Sequence, residues 1–325
     1  MRFDIIKCHG SGNDFPLIDA RAIALDERQW AQVARALADR QGPVGGDGLL
    51  LLTGGDATAA FGMSMRNSDG SEAETCLNGL RCVARLGFEV LGCEQATVRL
   101  KTSHAQVTRA ESVADGVYGV REVAGPASLD VAAWPADLGA ARVVDMAIPA
   151  VRSSRRFTAI AMPNPHLVTF VDTIDEGELI ELGNRCEAAP SWLPRRANVS
   201  FVRVTGESGL FVRTFERGVG LTDSCGSAMA ASTYAACLTR RMAYGRTIMV
   251  TNRGGMVKAS ASEDAMVTII GNATWEWAGS VDVDIEHATA SNLIVTRNYA
   301  QEIAAWSAVV AGQRVEDPSV SLNGG

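Results

Sequence analysis

Residues 67–79 read Asn67-Ser68-Asp69-Gly70-Ser71-Glu72-Ala73-Glu74-Thr75-Cys76-Leu77-Asn78-Gly79, and residues 216–227 read Glu216-Arg217-Gly218-Val219-Gly220-Leu221-Thr222-Asp223-Ser224-Cys225-Gly226-Ser227. Each is a polar, glycine-bearing loop that runs into an apolar segment, with a cysteine at the junction. In both, nine positions separate the first quoted residue from the cysteine, and the two cysteines stand 149 positions apart. Behind Cys76, Val83, Leu86 and Val90 recur at helical spacing as far as Gly92. Behind Cys225 a run of small residues extends from Ala228 to about Leu238. Each cysteine is therefore expected to open a helix.

Working outward from these junctions, the flanking patterns also recur. Residues 3–7 and 15–18 are strand-like around the turn cluster His9-Gly10-Ser11-Gly12-Asn13-Asp14. Asp26 can cap a helix whose inner face is Trp30, Val33, Ala34 and Leu37, and strands are expected at 49–52 and 61–65. Farther on, residues 158–162 lead through Pro163-Asn164-Pro165-His166 to a helix near 178–185 and strands at 197–201 and 210–215. Asn13 and Asn164 are 151 positions apart, close to the cysteine offset. A constant offset through strand, helix, loop and helix predicts two copies of one α+β unit. The expected division is residues 1–125 and 126–284, with the last strand able to return to the first domain, then an extension of unknown role over 285–325. Gly125-Pro126, Pro135 and Pro149 punctuate the boundary region, and residues 319–325 read as a frayed tail.

The totals fit this picture. At roughly 150 residues per domain, 325 residues suggest two domains. A chain that is 47% hydrophobic and 21% charged is neither disordered nor fibrous. Its net charge of −7 argues against nucleic acid or an anionic membrane as partner, leaving a small molecule. Seven cysteines cannot all pair, so they are expected as thiols in a reducing, cytoplasmic setting; no secretory or membrane-spanning run is present. There is no C-x-x-C, four scattered histidines give no zinc set, and the glycine clusters lack a phosphate-loop pattern. No metal and no cofactor are expected.

The first-turn amides of a helix attract anions and lower the pKa of a thiol placed there. Two such helix starts could hold a carboxylate between them, with a thiol on each side of the carbon that bears it. Inversion at that carbon needs a base on one face and an acid on the other, which one thiolate and one thiol supply. Against this, an isolated cysteine is usually a small core hydrophobe, the reading that fits Cys8, Cys82, Cys93, Cys186 and Cys237. Ser71-x-x-Glu74 competes locally as a capping box that would start the first helix early. His166 reads as a loop residue, and Arg217 as either a surface partner of Glu216 or a fork for a second carboxylate.

Lys7-Cys8-His9-Gly10-Ser11-Gly12-Asn13-Asp14-Phe15, residues 67–82 and residues 216–227 together resemble the signature segments of the diaminopimelate epimerases, and the likeness spans about residues 3–280. The resemblance implies two similar, pseudo-symmetric α+β domains, each a mixed or antiparallel sheet around a central helix, with the site in the cleft between them. It implies Cys76 and Cys225 as the acid–base pair, and the amides of Leu77, Asn78, Gly226 and Ser227 as the cradle of the reacting carboxylate. Asn13, Asn67, Asn164, Asn198, Glu216 and Arg217 match substrate-binding positions, His166 matches a histidine near the site, and a homodimer without cofactor is implied. Leu77 stands where the family usually has glycine, Leu221 where it has an acidic residue, and Ala228-Met229 where it has Gly-Ala. A racemase or isomerase of the same fold acting on another amino acid or small acid stays compatible with these residues. So does a hydrolase or transferase using one cysteine as nucleophile.

Overall fold

The computed structural model describes residues 1–73, 76–162 and 164–314. Glu74 of the possible capping box, Pro163 and the expected tail at 319–325 lie outside the described residues. Five α-helices occur among the described residues: α1 (Glu27–Ala38), α2 (Leu77–Leu91), α3 (Glu176–Glu187), α4 (Gly226–Leu238) and α5 (Ala300–Arg314). Contacts divide the chain into two units, the first Met1–Glu122 with Ile270–Val309, the second Val123–Ile269 with the end of α5 from Val310.

In the first unit, strands Arg2–Gly10 and Asn13–Asp19 form an antiparallel hairpin with Gly10 opposite Asn13. Its two-residue turn is Ser11 (φ 52°) and Gly12 (φ 82°), both left-handed as a tight hairpin requires. The chain then crosses through α1 to strand Gly48–Gly54, parallel to the hairpin with Leu17 opposite Leu50. It returns antiparallel in Phe61–Asn67 and crosses through α2 to Gln95–Arg99, again parallel, with Phe61 opposite Val98. Parallel neighbours cannot be joined by a tight turn, so each such pairing demands a crossover segment, and the helices supply it.

The second unit follows the same order. Strands Arg156–Ala161 and Pro165–Phe170 form the antiparallel pair, and α3 leads to Asn198–Gly206 in parallel register, His166 opposite Asn198. Gly209–Glu216 returns antiparallel, and α4 leads to Ile248–Asn252, parallel with Gly209 opposite Met249. A three-residue strand, Gly220–Thr222, is added before α4. The α+β expectation therefore holds, with one strand–helix order used twice.

The outer helices are amphipathic. α1 is capped by Asp26, whose carboxylate accepts from Gln29 N while the Gln29 side chain accepts from Asp26 N, and it buries Trp30, Val33, Ala34 and Leu37. α3 buries Leu179, Leu182 and Cys186. The inner helices are different in kind: α2 is buried from Leu77 to Phe88 and α4 from Gly226 to Cys237, as a helix without a solvent face must be. Each unit also ties its outer helix to the loop before the cysteine. Arg66 pairs with Glu27 and donates to Gly70 O, while Arg213 pairs with Glu176 and donates to Thr222 O (2.9 Å). Glu27 and Glu176 are the first residues of α1 and α3 and lie 149 positions apart, the offset of the two cysteines.

Strand Thr274–Asp284 pairs antiparallel with Arg2–Gly10, placing Val281 and Val283 in one core with Phe3, Ile5, Trp30 and Leu37. Strand Thr289–Asn298 lies beside it, and α5 then packs on the same unit. Glu302 of α5 accepts two hydrogen bonds from Arg85 of α2, and the buried Trp306 ring stands 5.6 Å from His9.

Candidate functional site: two cysteines at helix starts

Cys76 is the N-cap of α2, in extended backbone (φ −150°, ψ 99°), and its Sγ accepts from Gly79 N at 3.3 Å. The helix therefore begins at Leu77, not at the earlier capping box. Gly10 makes room for this: a Cβ there would meet Asn78 O at 2.5 Å, so only glycine lets the hairpin backbone lie against the helix start. That approach brings Asn13, the first residue after the turn, to the sulfur. Cys76 Sγ lies 3.8 Å from Asn13 Oδ1, and Asn78 Nδ2 lies 3.5 Å from the same oxygen. Asn67 ends strand Phe61–Asn67, where its Nδ2 donates to Ser71 Oγ (3.0 Å) and closes the turn that leads toward Cys76.

Beneath these residues is a group that the sequence reading did not single out. Arg81, wholly buried, donates to Asn78 Oδ1 (2.8 Å), Ser11 Oγ (3.1 Å), Asn272 O (3.1 Å) and Glu122 Oε1 (2.6 Å). Glu122 is equally buried, and burial raises its carboxyl to about 7 against the pull of Arg81. An arginine inside an otherwise apolar helical run, Leu80 to Ala84, was the available signal.

Cys225 is the N-cap of α4 in similar backbone (φ −138°, ψ 109°), without a side-chain capping bond. Its neighbours are side chains: Asn198 Nδ2 lies 3.9 Å from Sγ, and Ser227 Oγ lies 3.5 Å from it. Asn198 Oδ1 accepts from Arg217 N (3.0 Å), which turns the amide nitrogen toward the sulfur. His166, opposite Asn198 in the sheet, has Nε2 3.1 Å from Asn164 Oδ1. Burial, and then the charge of Arg217, lowers the imidazole to about 3, so it is neutral at neutral pH. Arg217 Nη1 donates to Arg195 O (3.2 Å), and Glu216 ends strand Gly209–Glu216 just before it. Asn164, His166, Asn198, Arg217, Cys225 and Ser227 are thus linked around one helix start, as Asn13, Asn78 and Cys76 are around the other.

Three of the remaining cysteines are chemically duller. Burial raises the thiol of Cys8 well above its ordinary value and pushes Cys186 up to about 12 and Cys237 to about 11. No helix among the described residues is long and apolar enough to cross a membrane, and none of their His, Cys, Asp and Glu side chains form a group of three that could hold a metal ion.

A model of one protein family, described as Diaminopimelate epimerase, matches residues 5–128 and 158–276. Over 290 residues the chain is 38% identical to the diaminopimelate epimerase of Clostridium acetobutylicum, covering 87% of each. It is also 38% identical over 279 residues to that of Enterococcus faecalis, covering 82% of this chain and 86% of the other. A solved structure described as a predicted epimerase from Pseudomonas aeruginosa superposes with a TM-score of 0.62 at 15% identity, covering 85% of this chain and 98% of that one; at that identity the likeness is one of fold.

Proposed function

The chain belongs to the diaminopimelate epimerase family, and on that premise we propose that it interconverts LL- and meso-diaminopimelate, an isomerisation that feeds lysine and peptidoglycan precursors. The observation that carries the reading is the pair of thiols at the N-caps of α2 and α4, the two buried helices of a strand–helix order used twice. In this reading Cys76 and Cys225 are the acid–base pair. A thiolate removes the α-hydrogen as a proton from one face, the electron pair of the broken C–H bond moves into the α-carboxylate, and a thiol returns a proton to the other face. Net charge is unchanged, the two cysteines exchange protonation states, and no cofactor takes part.

Charge developing on the carboxylate is met by preset backbone dipoles, the amides of Leu77, Asn78, Gly226 and Ser227, which need no reorganisation when it appears. Asn13, Asn67, Asn164, Asn198, Glu216 and Arg217 bind the amino groups and the distal amino-acid end. His166, neutral, supports them as a dipole. The enzyme works in this reading as a cytoplasmic homodimer, which light scattering at twice the chain mass would register.

The test is turnover of LL-diaminopimelate in D2O, followed by chiral chromatography and mass spectrometry. One deuteron at the inverted α-carbon is expected, and Cys76→Ser and Cys225→Ser should each suppress inversion. An acyl-enzyme trapped on one cysteine, with the other dispensable, would overturn the two-base reading. Inversion of another amino acid without turnover of diaminopimelate would move the substrate, not the mechanism.

A further inference from the structure

Arginine has five N–H donors and no acceptor, whereas an ionised carboxylate only accepts. Around Cys76 these one-way groups stand at the two ends of a pair of amides. All five donors of Arg81 find acceptors: Nε on Asn272 O (3.1 Å), Nη1 on Glu122 Oε1 (2.6 Å) and Leu77 O (3.5 Å), Nη2 on Ser11 Oγ (3.1 Å) and Asn78 Oδ1 (2.8 Å). The atom that Asn78 turns to Arg81 must be its oxygen, which leaves its Nδ2 toward Asn13. At the other end, Asp47 Oδ2 accepts from Asn13 Nδ2, which leaves Asn13 Oδ1 toward Asn78 and Cys76. The two constraints agree. Around Cys225 the amide is set the other way, because the donating amide of Arg217 takes Asn198 Oδ1 and leaves Nδ2 toward the sulfur.

We propose that Arg81 and Asp47 are positioning residues for Cys76: from opposite ends they fix the amides of Asn78 and Asn13, so that a carbonyl oxygen joins the Gly79 N–H at the Cys76 sulfur, whereas the side-chain amide at Cys225, set by Arg217, presents an N–H. An acceptor beside sulfur favours the protonated thiol, and a donor favours the thiolate. The clamp thus acts on the state in which Cys76 holds the proton. Glu122 serves it by fixing the guanidinium in the interior, where an isolated charge would not be kept. The inference rests on Cys76 being one of the acid–base pair, but its test needs no turnover.

Iodoacetamide reacts with thiolates, so the pH midpoint of alkylation at each cysteine, followed by peptide mass spectrometry, reports each thiol separately. Because either end of the clamp can hold the amides, the effect should be non-additive. Arg81→Lys keeps a cation for Glu122 but loses the fork, and Asp47→Ala removes the acceptor at an exposed position. Each alone should leave the Cys76 midpoint nearly in place. Together they should lower it by about half a pH unit, the scale of one weak hydrogen bond, with the Cys225 midpoint unmoved in the same sample. If Arg81→Lys does not fold, the pair Arg81→Met with Glu122→Leu takes its place, since it leaves no charge unpaired. Additive shifts, an equal shift at Cys225, or no shift in the combined variant would overturn the proposal. Absence of diaminopimelate turnover by the unaltered enzyme would instead count against the proposed reaction and leave this measurement standing.

Discussion

The starts of α2 and α4 share their backbone and differ in nearly everything around it. Each places a cysteine as N-cap in extended conformation at the end of a polar loop. Five residues after Cys76, however, comes Arg81 with its buried partner Glu122, and five residues after Cys225 comes Ala230 in a helix of small side chains. Topology repeats where the sulfur sits; the surrounding side chains decide what it meets. On the proposed reaction, in which the two thiols act in opposite senses on one carbon, they have reason to be alike in place and unlike in surroundings.

The strongest way to break the equivalence is to remove each thiol in turn. Positioned proton transfer contributes about 10²–10⁴-fold, so Cys76→Ser and Cys225→Ser should each lower kcat by that order, measured in both directions. A variant that keeps near-parental turnover in both directions would show that the other cysteine carries the chemistry and that the repeat is structural only.

Stability should separate the helices where activity joins them. Arg81→Ala leaves Glu122 buried and uncompensated, and breaking one partner of such a pair costs about 3–5 kcal/mol. The corresponding test in α4 runs in the opposite direction: nothing polar can be removed at Ala230, but Ala230→Leu overpacks a fully buried site and costs about 1–3 kcal/mol. Urea unfolding of both variants checks the order. An Arg81→Ala protein as stable as the parent would mean that the ion pair is not closed in solution.

The sequence made the shared part of the comparison readable and the unshared part hard to see. The offset between Cys76 and Cys225, the spacing of Val83 and Leu86 and the run of small residues after Cys225 located both inner helices, although Val90, read on the same apolar face, is exposed. Asp26 marked the start of α1, since a capping carboxylate is a local signal. The polar partners were illegible for a different reason. Arg81 meets Glu122 and Asn272, which are 41 and 191 positions away, and no local pattern reports such distances. Strand Thr289–Asn298 escaped because it is largely exposed and so lacks alternation, and α5 because its contacts with the fold run through Glu302 and Trp306 instead of an apolar stripe.

Falling pH should act on both units and rising pH on one. His166 titrates at about 3 and His9 at about 4, each lowered chiefly by burial from an ordinary value of 6.5. Below about pH 6.5 the unfolded chain takes up protons that the folded state refuses, so each contributes a loss of stability as pH falls. The loss is about 2 kcal/mol apiece between pH 7 and pH 5. Glu122 has the opposite sign: with its folded pKa raised to about 7, stability is lost as pH rises from 4.5 toward 7. His166→Gln should therefore flatten the acid limb, and Glu122→Gln should steepen it, in denaturation midpoints taken from pH 5 to pH 7. An unchanged slope in His166→Gln would mean that the imidazole is not buried as a neutral group.

The smallest expected difference bears most directly on the two sulfurs. Cys76 Sγ accepts from Gly79 N, the third residue of α2, whereas Cys225 makes no capping bond and faces Ser227 and Asn198 instead. Loss of a side-chain cap typically costs about 0.5–2 kcal/mol, and a sulfur acceptor belongs at the low end of that range. Relative to its own serine variant, which keeps a capping acceptor, Cys76→Ala should thus be less stable by about 0.5 kcal/mol and Cys225→Ala should not, read from paired urea midpoints, a reference that allows for Cys225 being the more buried sulfur. The difference also says what the sulfur must give up. On the proposed reaction, turning the Cys76 sulfur toward a substrate would break the bond from Gly79 N, whereas no side-chain capping bond holds the Cys225 sulfur. Equal costs in the two alanine variants would show that the Gly79 amide does not restrain Cys76, and the two helix starts would then differ only in their amide partners.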